Sequence, residues 1–166
     1  VSNNNTITNN INNGYIIKVD GLIGGHSGMD IHKNRLNAIK VIFNFFNLLV
    51  ENKVNVRLST IDIGNKANAI PFNGYAKFEI ENNDEDKLNS IFNNYFEKLL
   101  IKEKFYYKLE KSSLDYVISN EDSNKLISFI YEIPSKVITY ISNEVLTSNN
   151  LGVINLDKNQ VTILNS

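Results

Sequence analysis

Hydrophobic side chains recur at helical spacing between Asp30 and Asn52. Polar side chains occupy the opposite face, and Asp30 can accept hydrogen bonds from the free N–H groups of a first turn. The pattern predicts one amphipathic helix over 30–52, capped by Asp30. Its apolar face comprises Leu36, Ile39, Phe43, Phe46 and Val50, and its polar face Lys33, Asn37, Lys40, Asn44, Asn47 and Glu51. The side chains of Phe43, Phe45 and Phe46 are predicted to lie in the core or an interface.

Alternating or β-branched segments predict four strands and a C-terminal hairpin. The strands fall at 15–22, at 54–63, within 68–80 and at 105–111, and the hairpin at 150–164. In the third strand, Ala76, Phe78 and Ile80 should face one side of the sheet, and Tyr75, Lys77 and Glu79 the other. Helical spacing recurs at 84–104 and at 123–133, where Pro134 ends the helix.

This order of elements is typical of an α+β fold. The order is strand, helix, strand, strand, helix, strand. It predicts an antiparallel sheet with helices on one face, as in the ferredoxin-like split βαβ sandwich. An additional C-terminal helix and hairpin follow. Residues 1–13 are rich in Asn and are predicted to form a polar arm or linker, and residues 14–166 one domain.

The composition of the chain excludes several classes of function. The net charge of −1 offers no electrostatic attraction for nucleic acid or for an anionic membrane. The longest apolar runs are too short to span a bilayer, and no signal-peptide pattern precedes the domain. Cysteine is absent, which excludes disulfides and thiolate metal sites and fits a reducing compartment. We therefore expect a cytoplasmic protein.

Histidine content argues against a metal centre within this chain. Only His26 and His32 are present, and no His-Glu-x-x-His segment accompanies them. A catalytic zinc ion needs about three protein ligands. We therefore predict that these residues hold no catalytic metal.

The segment Gly24-Gly25-His26-Ser27-Gly28 is the strongest candidate for chemistry. Glycine permits positive φ and close approach of another molecule, so the His26 imidazole should project from a turn. A neutral imidazole there can donate a hydrogen bond to an oxyanion. The alternative interpretation is an ordinary strand-to-helix turn with a surface histidine, which the pattern alone favours because glycine turns are common.

Asn68, in the segment Asn68-Ala69-Ile70-Pro71, is a second candidate. Its amide can bind a substrate carboxylate or carbonyl, although shaping the turn before a strand is the interpretation that the residues alone favour. The remaining charged candidates are expected at the surface: His32, Arg35 and Lys40 on the helix, and Asp20, Asp30 and Asp62 as solvated turn residues.

Three segments together resemble a known family. VDGLIGGHSGMDIHKNRLNAIK (19–40), NAIP (68–71) and LTSNNLGVI (146–154) occur in this order in the aminoacyl-histidine dipeptidases, the carnosine-cleaving branch of the M20 zinc metallopeptidases. The resemblance covers about 14–166 and concerns only the lid, or dimerisation, domain of such enzymes. Phe72-Asn73 departs from the family, where Arg-Glu usually follows the proline.

The resemblance implies a function in a larger enzyme. His26 matches a histidine that stabilises the tetrahedral intermediate, in several members within the partner subunit's active site, and Asn68 matches a residue that helps to hold the substrate. Gly24, Gly25 and Gly28 would shape the loop that projects His26. Two zinc ions and their ligands would lie in a catalytic domain that these residues do not include. The fragment alone should therefore be inactive, and a homodimer hydrolysing Xaa-His or β-Ala-His dipeptides is expected.

Two alternatives remain. The domain could be a non-catalytic homodimerisation module, associating through a strand edge and one helix, with a purely structural glycine loop. It could also be a ferredoxin-like regulatory domain that binds a small ligand.

Overall fold

A computed structural model describes residues 6–7, 11, 13–135, 137–141, 144–158 and 160–166. Its strands, in chain order, are β1 Thr6–Ile7, β2 Gly14–Asp20, β3 Gly25–His26, β4 Arg57–Ile63, β5 Ala69–Ile70, β6 Gly74–Glu79, β7 Tyr106–Lys111, β8 Val117–Ile118, β9 Val137–Ile141, β10 Glu144–Ser148, β11 Leu151–Leu156 and β12 Val161–Asn165. Its α-helices are α1 Ser27–Asp30, α2 Ala38–Glu51, α3 Glu85–Lys102 and α4 Asn120–Glu132.

A six-stranded antiparallel sheet forms the centre, with the order β12-β11-β4-β6-β2-β7. The C-terminal hairpin β11–β12 continues this sheet beside β4, so it does not form a second layer. Helix α2 packs on β2, β6 and β11, and it is flanked by α3 and α4. The combination of helices with a mainly antiparallel sheet confirms the predicted α+β fold class.

Aromatic side chains fill the space between α2, α3 and the sheet. Phe43, Phe45 and Phe46 are fully buried, as predicted. The Phe46 ring meets Phe78 of β6 edge-to-face at 5.2 Å between centroids, and Phe45 contacts Phe96 of α3 at 5.9 Å. Each such burial contributes about 1.5–3 kcal/mol, which fixes the helices on the sheet.

The prediction of one helix from Asp30 to Asn52 was wrong at its start. The short helix α1 is followed by a 3-10 turn, Ile31–Lys33, and by Asn34 in the left-handed region with φ of 53°. Asn37 then caps α2, because its Oδ1 accepts from the backbone N–H of Ile39 at 2.9 Å. Asn37 was predicted on the solvated face, but it is buried, since its amide lies between the helix and the C-terminal hairpin.

One predicted surface cation also differs from the structure, and two details of the sheet add to the prediction. Lys40 is no surface cation: its Nζ donates to the carbonyls of Ile130, Tyr131 and Ile133 at the end of α4, and burial lowers its pKa. Glu79, which follows the buried Phe78 in β6, is also buried, and the Arg57 guanidinium pairs with its carboxylate. The segment 68–80, which was predicted to contain a strand, contains β6 and also the short strand β5 before Pro71.

Several short pairings had no signal in the hydrophobic pattern. Strand β1 pairs with β8, so part of the predicted polar arm has a defined partner, and β9 pairs with β10. The division of the chain at residue 13 stays a prediction.

Candidate functional site

The His26 loop, residues 23–36, lies beside the Asn68 segment. Strand β3 pairs with β5 so that Gly25 lies opposite Ile70 and His26 opposite Ala69. The pairing continues where the N–H of Ser27 donates to the carbonyl of Asn68 at 2.9 Å. The two segments that sequence analysis selected, some forty residues apart in the chain, are therefore neighbours.

The imidazole of His26 has a defined tautomer. The backbone N–H of Gly28 donates to His26 Nδ1 at 3.0 Å. A nitrogen that accepts a hydrogen bond carries no proton, so in the neutral ring the proton is on Nε2. The side chain is exposed. The ring therefore offers a hydrogen-bond donor at its outer edge.

The glycines of the loop serve different purposes. Gly24 and Gly25 have φ of 69° and 132°, as their predicted role in a left-handed turn requires. A Cβ at Gly25 would lie 2.6 Å from Asp30 Oδ2 and 2.7 Å from Arg35 Nη1. Gly28 instead lies within α1 and has no positive φ, and its N–H holds the imidazole.

Asp30 and Arg35, which were expected as solvated surface groups, are half-buried and bind backbone groups of the loop. Asp30 Oδ2 accepts from the N–H of His26 at 2.9 Å, and its Oδ1 pairs with Lys33 at 2.8 Å. The hydrogen bond from Lys33, followed by that from His26, lowers the pKa of Asp30 to about 2. Arg35 Nη1 donates to the carbonyl of Gly24 at 2.7 Å. His32, in contrast, is exposed as expected.

Asn150, which sequence analysis did not select as a site residue, holds the Asn68 segment. Its Nδ2 donates to the carbonyls of Ala67 and Ala69 at 3.1 and 2.7 Å. Together with the hydrogen bond from Ser27 to Asn68, this satisfies three consecutive carbonyls. The Asn68 side chain itself is exposed beside the His26 loop.

Gly152 allows the close approach on which this clamp depends. A Cβ at Gly152 would lie 2.6 Å from the Cα of Ala67 and from two backbone oxygens. Both Asn150 and Gly152 belong to the LTSNNLGVI segment, so the family resemblance of that segment could have pointed to these two residues.

Glu103 is a second residue that sequence analysis missed. It lies directly after α3 and is 8% exposed. Its Oε1 accepts from the N–H of Ile23 at 2.9 Å and its Oε2 from the N–H of Leu36 at 2.7 Å. A glutamate in a Lys- and Glu-rich segment gives no sign in the sequence that it is buried.

Two exposed apolar side chains belong to the loop and a third lies against it. Ile23, Met29 and Phe72 are 60%, 71% and 45% exposed, and Phe72 lies against Gly24. Grouped apolar side chains on a surface are typical of a contact with another protein surface.

No group of three or more His, Asp or Glu residues within the described segments could hold a metal ion. The helices of the same segments include none that is both long and apolar enough to cross a membrane.

Comparison with known proteins agrees with this architecture. The family model for the peptidase dimerisation domain of M20 peptidases matches residues 17–104, and the chain belongs to this family. The aminoacylhistidine dipeptidase of Vibrio alginolyticus has a similar structure, with a TM-score of 0.85 and 30% identity, over 95% of this chain and 34% of that one. The cytosol non-specific dipeptidase of Escherichia coli K12 is 29% identical over 158 residues, which is 89% of this chain and 32% of that protein. The chain thus spans about a third of the length of these two relatives.

Proposed function

We propose that this chain is the lid and dimerisation domain of a cytoplasmic aminoacyl-histidine dipeptidase, and that His26 stabilises the oxyanion formed during peptide hydrolysis. The family and the names of the two relatives support a dipeptidase. Their greater length supports a catalytic domain outside these residues.

The hydrogen bond from Gly28 to His26 Nδ1 carries the proposal. When water attacks the scissile carbonyl of a peptide, negative charge develops on the carbonyl oxygen. A donor already pointed at that oxygen stabilises the transition state more than the substrate, which raises kcat. The Nε2 proton of an exposed and restrained imidazole is such a donor. The ordinary surface-histidine interpretation gives no reason for the Gly28 N–H to hold one nitrogen of the imidazole.

Asn68 has a supporting role in the proposal. Its backbone is held by Ser27 and the carbonyls of its neighbours by Asn150, so the backbone that carries its exposed amide is fixed beside the His26 loop. An amide can bind either a carboxylate or a carbonyl of a dipeptide. We assign it to substrate binding.

Zinc dependence is part of the proposal, but the metal lies outside this chain. The described residues provide no ligand cluster, so they do not fit a zinc site of about three protein ligands. We assign both zinc ions to the catalytic domain, and we expect the 166 residues alone to hydrolyse nothing.

The lid would work in a homodimer and against a catalytic domain. The exposed side chains of Ile23 and Met29 in the His26 loop, and of Phe72 against Gly24, supply apolar surface that a docking partner could cover. A homodimerisation module with a purely structural loop is the alternative, favoured by the family's description as a dimerisation domain.

The test is His26→Ala in the full-length enzyme, with His32→Ala as the matched control. We expect kcat to fall by about 10²–10³, the usual effect of removing one oxyanion donor. Because that bond forms in the transition state, kcat/KM should fall by the same factor. The control should keep wild-type activity, and light scattering should give the same dimer for all three proteins. An unchanged kcat for His26→Ala in an intact dimer would support the alternative.

A further inference from the structure

We propose that Glu103 is a positioning residue, and that its carboxylate closes the base of the His26 loop and thereby fixes the imidazole. The catalytic consequence of this inference rests on the proposed function, but the positioning itself can be measured without it.

The loop is closed by three successive connections. At its base, Glu103 binds the N–H of Ile23 through one oxygen and that of Leu36 through the other. One residue inward, Arg35 donates to the carbonyl of Gly24. At the tip, Asp30 binds the N–H of His26, and Gly28 binds its ring. Glu103 holds the two ends of the loop together. The contacts made by Arg35, Asp30 and Gly28 all lie between those ends.

Burial and chemistry explain why a carboxylate is needed. Glu103 is 8% exposed, so its oxygens must find donors inside the protein. An ionised carboxylate only accepts, and it meets two N–H groups that only donate. Glutamine would turn an NH₂ group toward one of these N–H groups and leave that donor without a partner.

Helix α3 makes Glu103 a fixed anchor. The N–H of Glu103 donates to the carbonyl of Leu99 at 3.1 Å, which continues the helical hydrogen bonding. The same helix is held in the core by Phe96, which is fully buried and stacks on Tyr107 of β7 at 4.7 Å. Glu103 therefore ties the loop to helix α3, which the core holds in place independently of the loop.

Histidine NMR of the 166-residue chain tests this directly, because the chain has only two histidines. At pH 9, where imidazoles are neutral, ring ¹⁵N spectra should show His26 as the single tautomer protonated on Nε2. The exposed His32 is an internal reference for an unrestrained ring. In Glu103→Gln we expect the His26 signals to shift toward those of His32.

Glu79→Gln is the matched control. Glu79 is equally a buried carboxylate, but it pairs with Arg57 at the last residue of β6. The segment that contacts the His26 loop, residues 68–72, precedes the other end of this strand, Gly74. If the His26 signals respond only to a general loss of stability of the domain, they should shift by a similar amount in Glu103→Gln and in Glu79→Gln. A shift confined to Glu103→Gln supports positioning, whereas unchanged His26 signals in Glu103→Gln overturn it.

Hydrogen exchange of the unmodified chain covers the case in which Glu103→Gln does not fold. Within the described residues, the N–H of Ile23 has the Glu103 carboxylate as its acceptor, and Ile23 is 60% exposed. This amide should therefore exchange slowly only if Glu103 holds it. We expect slow exchange at both Ile23 and Leu36. Exchange at the rate of an unprotected amide at both would overturn the proposal.

Kinetics of the full-length enzyme separate this inference from the proposed function. Glu103→Gln should lower kcat by about 10-fold and change KM little, since misplacement costs less than loss of the imidazole. If His26→Ala leaves kcat unchanged while the ring signals still respond to Glu103→Gln, the oxyanion role fails and the positioning role stands. If the ring signals do not respond, the positioning role fails whatever His26→Ala does.

Discussion

Replacing Asn37 with alanine should destabilise the domain far more than replacing a surface asparagine. Asn37 Oδ1 caps α2 by accepting from the N–H groups of Ile39 and Lys40 at 2.9 and 3.4 Å. Its Nδ2 donates to the carbonyl of Leu151 at 2.9 Å and to Ser135 Oγ at 3.0 Å. One side chain therefore joins the start of the central helix to the C-terminal hairpin.

The expected magnitude follows from these four contacts. Loss of an N-cap costs about 1 kcal/mol. Each of the two hydrogen bonds made by Nδ2 contributes about 0.5–1.5 kcal/mol, and the higher figure applies where the partner is buried, as Leu151 is. The free energy of unfolding should therefore fall by about 2–4 kcal/mol. A solvated Asn37, as the hydrophobic pattern predicts, would give a change of about 0.5 kcal/mol or less.

Urea unfolding followed by far-ultraviolet circular dichroism measures this difference. With a denaturant slope of about 2 kcal/mol per molar, the midpoint should fall by about 1–2 M. Asn47→Ala is the control on the same helix, because Asn47 reaches only the Glu51 carboxylate at the surface. Equal midpoints for the two variants would refute the assignment of Asn37 as a buried cap.

Two further predictions concern packing and pH. Gly152→Ala should lower the free energy of unfolding by about 1–3 kcal/mol, because the new methyl group meets the backbone of Ala67; a thermal melt matching wild type would contradict this. Burial, aided by the hydrogen bond to Glu85, raises the pKa of Tyr15 to about 12. Since the unfolded value is near 10, the resulting stability is present below pH 10 and is lost as the pH rises toward 12. A ring-carbon NMR titration of Tyr15 with a midpoint near 10 would show the prediction to be wrong.

The large elements could be predicted from sequence because burial is periodic in them. Leu88, Phe92 and Phe96 follow one face of α3 and are buried, and the alternation in β2 places Ile17 and Val19 inside. The pairs β1–β8 and β3–β5 contain two residues per strand, which is too short for any periodicity to appear.

The polar framework of the site could not be predicted in the same way. Asn37, Glu103 and Asn150 are polar residue types that usually lie at the surface, and each is buried here through partners distant in the chain. Asn37 contacts Leu151 across 114 residues, and Glu103 contacts Ile23 across 80. The flanking glycines gave the correct expectation for the exposure of His26, but only the fold shows which groups hold it.

The most direct measurement is a crystal structure of the full-length protein with a dipeptide-like phosphinate, whose tetrahedral centre imitates the intermediate of the proposed hydrolysis. We predict that His26 Nε2 lies about 2.7–3.1 Å from a phosphinate oxygen, the range expected for an oxyanion donor. A complex in which the lid is closed and the His26 imidazole contacts no part of the phosphinate would contradict the account.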